Sequence, residues 1–171
     1  NFIGNKYFSD NELKSQISTK EDAWYKLFGS NKFIPERMEY DKEKLKQFYN
    51  ERGFIDFKVN LARGDLLPNF SGFNLNFVVN EGPRYLVDKV SIKSLLIDDK
   101  KQSLINDLSI KKGEYFDSRA LESSIKFLTE FFENAGYNFI TVSHSFEKNK
   151  NLLDIKFTIT EGDQKYINKI N

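Results

Sequence analysis

The 171-residue chain has no cysteine, one histidine, one methionine, one tryptophan and three prolines. The absence of cysteine excludes disulfides, thiolate nucleophiles and cysteine-based zinc sites. His144 has no second histidine beside it in the sequence, so neither a metal centre nor a histidine-driven catalytic site is expected. An excess of one charge is also missing. Twenty-six Lys and Arg stand against 25 Asp and Glu, interspersed along the chain, which gives no basic field for nucleic acid or anionic lipid. No apolar run is long enough to cross a membrane as a helix, and the opening NFIGNKYF lacks the hydrophobic region of a signal peptide. Asn1 is not a natural start, so a fragment of a longer polypeptide is expected, with its targeting information elsewhere. The glycines at 4, 53, 82, 136 and 162 fall at turns rather than in a phosphate-loop pattern.

What is present is a foldable, well-solvated chain: 39% hydrophobic, 15% aromatic and 30% charged residues, with a mean hydropathy of -0.57. Its organising stretch is residues 52–85. A helix stop at Gly53 leads into an alternating run with Phe57, Val59 and Leu61 on one face and Lys58 and Asn60 on the other. After a Gly/Pro loop the chain returns with Phe73, Leu75, Phe77 and Val79 opposite Asn74, Asn76 and Asn80. Period-two alternation of this kind predicts a long antiparallel hairpin with one buried and one wet face. Arg63-Gly64-Asp65 is expected to interrupt the first strand with a bulge, since a glycine inside a strand pattern often marks one.

Upstream, Phe2 and Ile3 read as a strand end. Ser9-Asp10-Asn11-Glu12 has capping-box spacing ahead of Leu13 and Ile17. Trp24, Tyr25, Leu27 and Phe28 are expected to seal helices onto the sheet, and a second helix is expected over about residues 40–52, with Leu45, Phe48 and Tyr49 on one face. Downstream the same order recurs. Val90 and Ile92 mark a strand, Leu104, Ile105 and Leu108 a short helix, and Leu121, Ile125, Leu128 and Phe132 a longer one. Ile140 and Val142 begin a strand, and Leu153, Ile155, Phe157 and Ile159 alternate with polar neighbours. Glu161-Gly162 restates Glu81-Gly82 after 80 positions, and Glu133-Asn134-Ala135-Gly136-Tyr137 answers Glu51-Arg52-Gly53-Phe54. Matched order at one period means tandem copies of a β-α-α-β-β unit, an α+β fold with a three-stranded mixed sheet and two helices on one face of each. The expected boundaries are 1–83, 84–165 and, opening a further repeat, 166–171.

This unit, with Gly-aromatic after its second helix and Glu-Gly before a Tyr after its last strand, resembles the POTRA domain. The first copy, through Phe2-Ile3-Gly4-Asn5, Tyr7-Phe8, Leu13, Trp24, Gly29, Asp41, Leu45, Tyr49, Arg52-Gly53-Phe54, Pro68, Glu81-Gly82 and Tyr85, looks like the third POTRA domain of the family's assembly-type members. The second copy is similar to the fourth, but lacks the Gly-Asn pair after its first strand. The resemblance implies a periplasmic scaffold ahead of an outer-membrane β-barrel, which handles unfolded outer-membrane protein precursors and docks accessory lipoproteins. It brings no catalytic residue, cofactor or metal. In this fold the strand near residues 57–66 is expected at a sheet edge, where extended precursors add as a further strand. The candidate partner-binding residues are Phe57, Lys58, Val59, Asn60, Leu61, Gly64 and Leu66, joined by Phe139, Ile140, Thr141, Val142 and Ser143 in the second copy. Leu61, Gly64 and Leu66 are also the candidate lipoprotein contacts. Leu66 and Leu67 alternatively cap the hairpin core.

Other readings remain open at this point. A POTRA module of a related polypeptide-transporting β-barrel, of the two-partner secretion or translocation type, is the near rival. A small duplicated α+β ligand-binding protein or enzyme is the rival of another class. The carboxylate pairs Glu21-Asp22 and Asp98-Asp99 are explained by helix starts, Trp24-Tyr25 and Phe131-Phe132 by core packing, and Asn69-Phe70-Ser71 is a formal glycosylation sequon in a loop.

Overall fold

A computed structural model describes residues 1–18, 35–66, 73–96 and 101–162. Trp24, Tyr25, Leu27, Phe28, Glu21-Asp22, Asp98-Asp99, Leu67, Asn69-Phe70-Ser71 and residues 166–171 lie outside the described residues. The chain divides into two units, Asn1–Arg84 and Tyr85–Asn171.

The first unit contains β1 (Phe2–Ile3), α1 (Asp10–Gln16), α2 (Pro35–Asn50), β2 (Lys58–Leu66) and β3 (Phe73–Asn80). The second repeats the order as β4 (Leu86–Lys93), α3 (Lys101–Asp107), α4 (Ser118–Asn134), β5 (Ile140–Asn149) and β6 (Leu152–Glu161). Each sheet has three strands and is mixed. The last strand lies in the middle, parallel to the first and antiparallel to the one before it, giving the orders β1-β3-β2 and β4-β6-β5. Both units are therefore of the expected α+β type.

The alternation places the core where the sequence implies it. Phe77 and Val79 are buried against Leu13, Leu45, Phe48 and Tyr49 of the helices, with Leu75 partly buried beside them. In the second unit Leu153, Ile155, Phe157 and Ile159 are buried with Leu121, Leu128 and Phe132 of α4. α1 carries the capping box: the Ser9 hydroxyl accepts from the Glu12 N–H, and the Glu12 carboxylate accepts from the Ser9 N–H at 2.8 Å. α2 begins about a turn earlier than the periodicity indicates, at Pro35, a residue suited to the first helical position because it has no N–H to satisfy. Both long helices end alike. Phe54 N–H bonds the Tyr49 carbonyl and Gly53 N–H the Asn50 carbonyl, while Tyr137 N–H bonds Phe132 and Gly136 N–H bonds Glu133. With Gly53 and Gly136 at φ of 99° and 92°, these are two copies of one Schellman stop.

The Glu-Gly motif has a role in the first unit that the second does not reproduce. The buried Glu81 carboxylate accepts from the Lys6 N–H at 2.9 Å, the Tyr7 N–H at 3.1 Å and the Tyr49 hydroxyl at 2.9 Å. Burial raises the Tyr49 hydroxyl pKa, and the bond to Glu81 raises it further, so the hydroxyl stays a donor. Gly4 makes this turn possible: its φ is 98°, and a Cβ there would collide with the Val79 carbonyl oxygen. Asn5 completes the knot by donating to the Phe8 carbonyl and the Asp10 carboxylate, which also accepts the Phe2 N–H. The second unit has no Gly-Asn turn to receive its glutamate, and Glu161 is exposed. Glu81→Ala should therefore cost the first unit about 2–4 kcal/mol, since it strands two amides and a hydroxyl. Glu161→Ala should cost within about 0.5 kcal/mol. Native-state hydrogen exchange checks both, with faster exchange at the Lys6 and Tyr7 amides expected for Glu81→Ala alone.

Candidate functional site: the open strand edges

No strand lies beyond β2 in the first sheet or beyond β5 in the second among the described residues. Which backbone groups these edges present follows from the bonds of their central strands. Phe77 donates its N–H to the Asn1 carbonyl, and the Asn1 ammonium donates to the Leu75 carbonyl at 2.8 Å, so these β3 residues face β1. N–H and C=O of one strand residue point the same way, and in a pair that does not exchange bonds both residues turn them outward. Ala62 opposite Phe77 and Gly64 opposite Leu75 consequently direct N–H and C=O away from the sheet. In the second sheet the Gly162 N–H bonds the Phe139 carbonyl, which sets the phase of β6. Ile140, Val142, His144, Phe146 and Lys148, opposite Glu161, Ile159, Phe157, Ile155 and Leu153, are then the outward-facing residues of β5.

The sequence-based candidates distribute unevenly on these edges. Ile140 and Val142 offer backbone groups outward, whereas Thr141 and Ser143 pair inward with Thr160 and Thr158. Phe139 precedes β5 and is exposed. On β2, Gly64 faces outward and pairs regularly with Leu75, so it is not the expected bulge. The bulge lies instead between Val59 and Leu61, where Asn60 is the extra residue. It reverses the phase of the strand. Val59 packs partly on the core, but Leu61 is 52% exposed and Ala62 takes the inward position expected of it. Lys58 is exposed at the start of the ladder, opposite Asn80. Leu66 pairs with Phe73 at the end of β2, and its alternative as a core cap lies outside the described side chains. Phe57 does not belong to the edge. Its N–H bonds the Phe54 carbonyl, and its buried ring stacks on Tyr49 with centroids 3.9 Å apart. The residues missed by periodicity are Ala62, His144, Phe146 and Lys148, because strand order and hydrogen-bond phase select them and side-chain type does not.

Across the open face of the first sheet, Ile3, Val78 and Leu61 stand in one register row, a short apolar line. Val78 is half-buried and Ile3 is 57% exposed. Arg63 and Asp65 on the same strand pair at 2.6 Å. Among the described residues no cluster of three His, Cys, Asp or Glu is placed to hold a metal ion, and no helix is long and apolar enough to cross a membrane.

Residues 1–82 and 85–162 each match the POTRA family, described as a surface antigen variable number repeat. The chain belongs to the POTRA family. Its relatives include the outer membrane protein assembly factor BamA of Neorickettsia risticii, 28% identical over 176 residues and covering 99% of this chain and 23% of that protein. BamA of Neisseria meningitidis is 27% identical over 173 residues, covering 99% and 22%. The chain thus spans less than a quarter of the length of these relatives. Among solved structures, POTRA domains 3–5 of Haemophilus influenzae BamA superpose with a TM-score of 0.74 at 20% identity, over 95% of this chain and 65% of that one. Haemophilus ducreyi BamA lacking POTRA domains 1–3 gives a TM-score of 0.64 at 21% identity, over 94% and 28%. These likenesses agree with the POTRA fold seen in each unit.

Because Phe57 is a core ring, Phe57→Ala should destabilise the first unit by about 3–5 kcal/mol. Its denaturant midpoint should fall, with no selective loss of binding in the fraction that stays folded.

Proposed function

We propose that this chain is a periplasmic, non-catalytic module of outer-membrane β-barrel assembly. It holds extended segments of unfolded outer-membrane precursors by strand addition to β2 and β5. The observation that carries this reading is the pair of long edge strands whose Ala62, Gly64, Ile140, Val142, His144 and Phe146 direct backbone donors and acceptors outward. Pairing through backbone suits clients of many sequences. One edge binds weakly, on the order of millimolar to micromolar, and two tethered edges raise effective concentration while release stays fast. Similarity to BamA over nearly the whole chain supports the assembly role, and the motifs of the first copy support reading the units as a third and fourth POTRA domain. We also place the domain boundary near residues 83–84 and the start of a further repeat at 166–171.

A second role, docking an accessory lipoprotein, is favoured by the outward turn of Leu61 into a row with Val78 and Ile3, an apolar line on an otherwise polar face. Gly64, in the phase of Ala62 and not of Leu61, would join this contact through its outward backbone groups, and Leu66 follows it at the end of the same edge.

Titration with a ten-residue peptide of transmembrane β-strand pattern, followed by amide chemical shifts, should perturb residues of β2 and β5 in fast exchange. Ala62→Pro, which deletes an outward N–H and no bond to β3, should abolish the β2 shifts and spare those of β5. Unchanged β2 shifts in a folded Ala62→Pro sample would sink strand addition there. Leu61→Asp should lower lipoprotein binding by about tenfold or more while leaving the peptide titration intact; equal lipoprotein binding would remove the docking role.

A further inference from the structure

Phe139 is out of keeping with its surroundings. Its φ is 60°, in the left-handed region where Cβ crowds the following carbonyl and bulky side chains are rare. It nevertheless exposes 67% of its surface. The backbone there is imposed from both sides. The Schellman stop fixes Tyr137, whose hydroxyl also donates to the Leu96 carbonyl, and the Gly162 N–H bonds the Phe139 carbonyl at 3.0 Å. Asparagine, aspartate or glycine meets such a conformation at lower cost. In the first unit the residue lying against the corresponding glycine, Gly82, is Asp56. An aromatic ring at position 139 therefore serves neither the turn nor the core.

We propose that Phe139 is an aromatic anchor for strands added to β5, so that this edge prefers a strand with an aromatic residue at the end lying beside it. The inference rests on the reading of β5 as an open edge. β5 is ten residues long, Ile140–Asn149, with unbroken register to β6. That length equals the roughly 9–11 residues with which a β-strand crosses a bilayer. Such strands alternate apolar and polar residues and carry aromatic girdle residues at both ends. A strand of this kind laid along the whole of β5 brings one girdle residue to Phe139, where two rings pair offset or edge to face. The β2 edge has no equivalent: its ladder begins at Lys58, preceded by the core residue Phe57. The two edges thus divide the work, β2 reading backbone and β5 reading backbone plus one ring.

The test compares two ten-residue peptides of transmembrane β-strand pattern, one with tyrosine at both ends and one with serine there, titrated into the 171-residue chain and followed at the amides of β5. The tyrosine-ended peptide should bind β5 about two- to tenfold more tightly. Phe139→Asn should erase that preference while the thermal midpoint of the second unit holds or rises, and Phe139→Tyr should keep it. Equal affinities of the two peptides for the parent chain would overturn the anchor and leave the open edge standing, as would a preference that survives Phe139→Asn. A fall in the midpoint of Phe139→Asn would assign the ring a structural role and also overturn the anchor. If neither peptide shifts the β5 amides, the edge reading fails and the anchor with it.

Discussion

Each unit is governed by one constraint: a three-stranded sheet whose central strand comes last in the chain. Until β3 or β6 is in place, the first strand and the penultimate strand have nothing to pair with, because each bonds only to the centre. Three strands and two helices leave a sheet covered on one face, and among the described residues no strand closes the β2 edge of the first sheet or the β5 edge of the second. The open edges are thus a consequence of so small a sheet holding a core. Burial of Phe77 and Val79, or of Leu153, Ile155, Phe157 and Ile159, fixes the central strand and with it the phase of every outward group.

The two copies reach this arrangement with different local chemistry. In the first, the turn after the opening strand is tied down by Glu81, Gly4, Asn5 and Asp10. In the second, β4 pairs with β6 from Leu86 to Lys93 and is joined at its start by the segment around Tyr115, whose neighbour Glu114 accepts the Val87 N–H. In the second unit Glu161 is exposed and Gly162 donates its N–H to the Phe139 carbonyl, whereas Gly82 in the first donates to the Asn80 side chain.

Much of the fold was legible because it rests on period and punctuation. α4, β6, the capping box at Ser9 and the paired glycine stops are local statements, made by residues whose neighbours in space are neighbours in sequence. The edge was less legible. A bulge adds one residue without a compositional mark, so the sequence Lys58-Val59-Asn60-Leu61 reads as continued alternation although the ladder slips at Asn60. Gly64 carried the compositional mark and no bulge. Ala62 is neutral by type, and its importance comes from standing opposite Phe77. Phe57 reads as edge material because it continues the alternation of Val59 and Leu61, and only the stack on Tyr49 shows it to be core. Family likeness supplied the edge position, while the selection of outward residues needed the hydrogen-bond phase.

The bulge also limits motion. A strand lying on an antiparallel edge keeps its two faces only when it moves by two residues, about 6.8 Å at a time. Along β2 this stepping track is interrupted at Asn60, leaving a run from Leu61 to Leu66 on which a guest can shift. Along β5 the register with β6 is continuous from Ile140 to Asn149. On the proposed reading, a strand added to β2 would have a short track with a stop, and one added to β5 a long uninterrupted track.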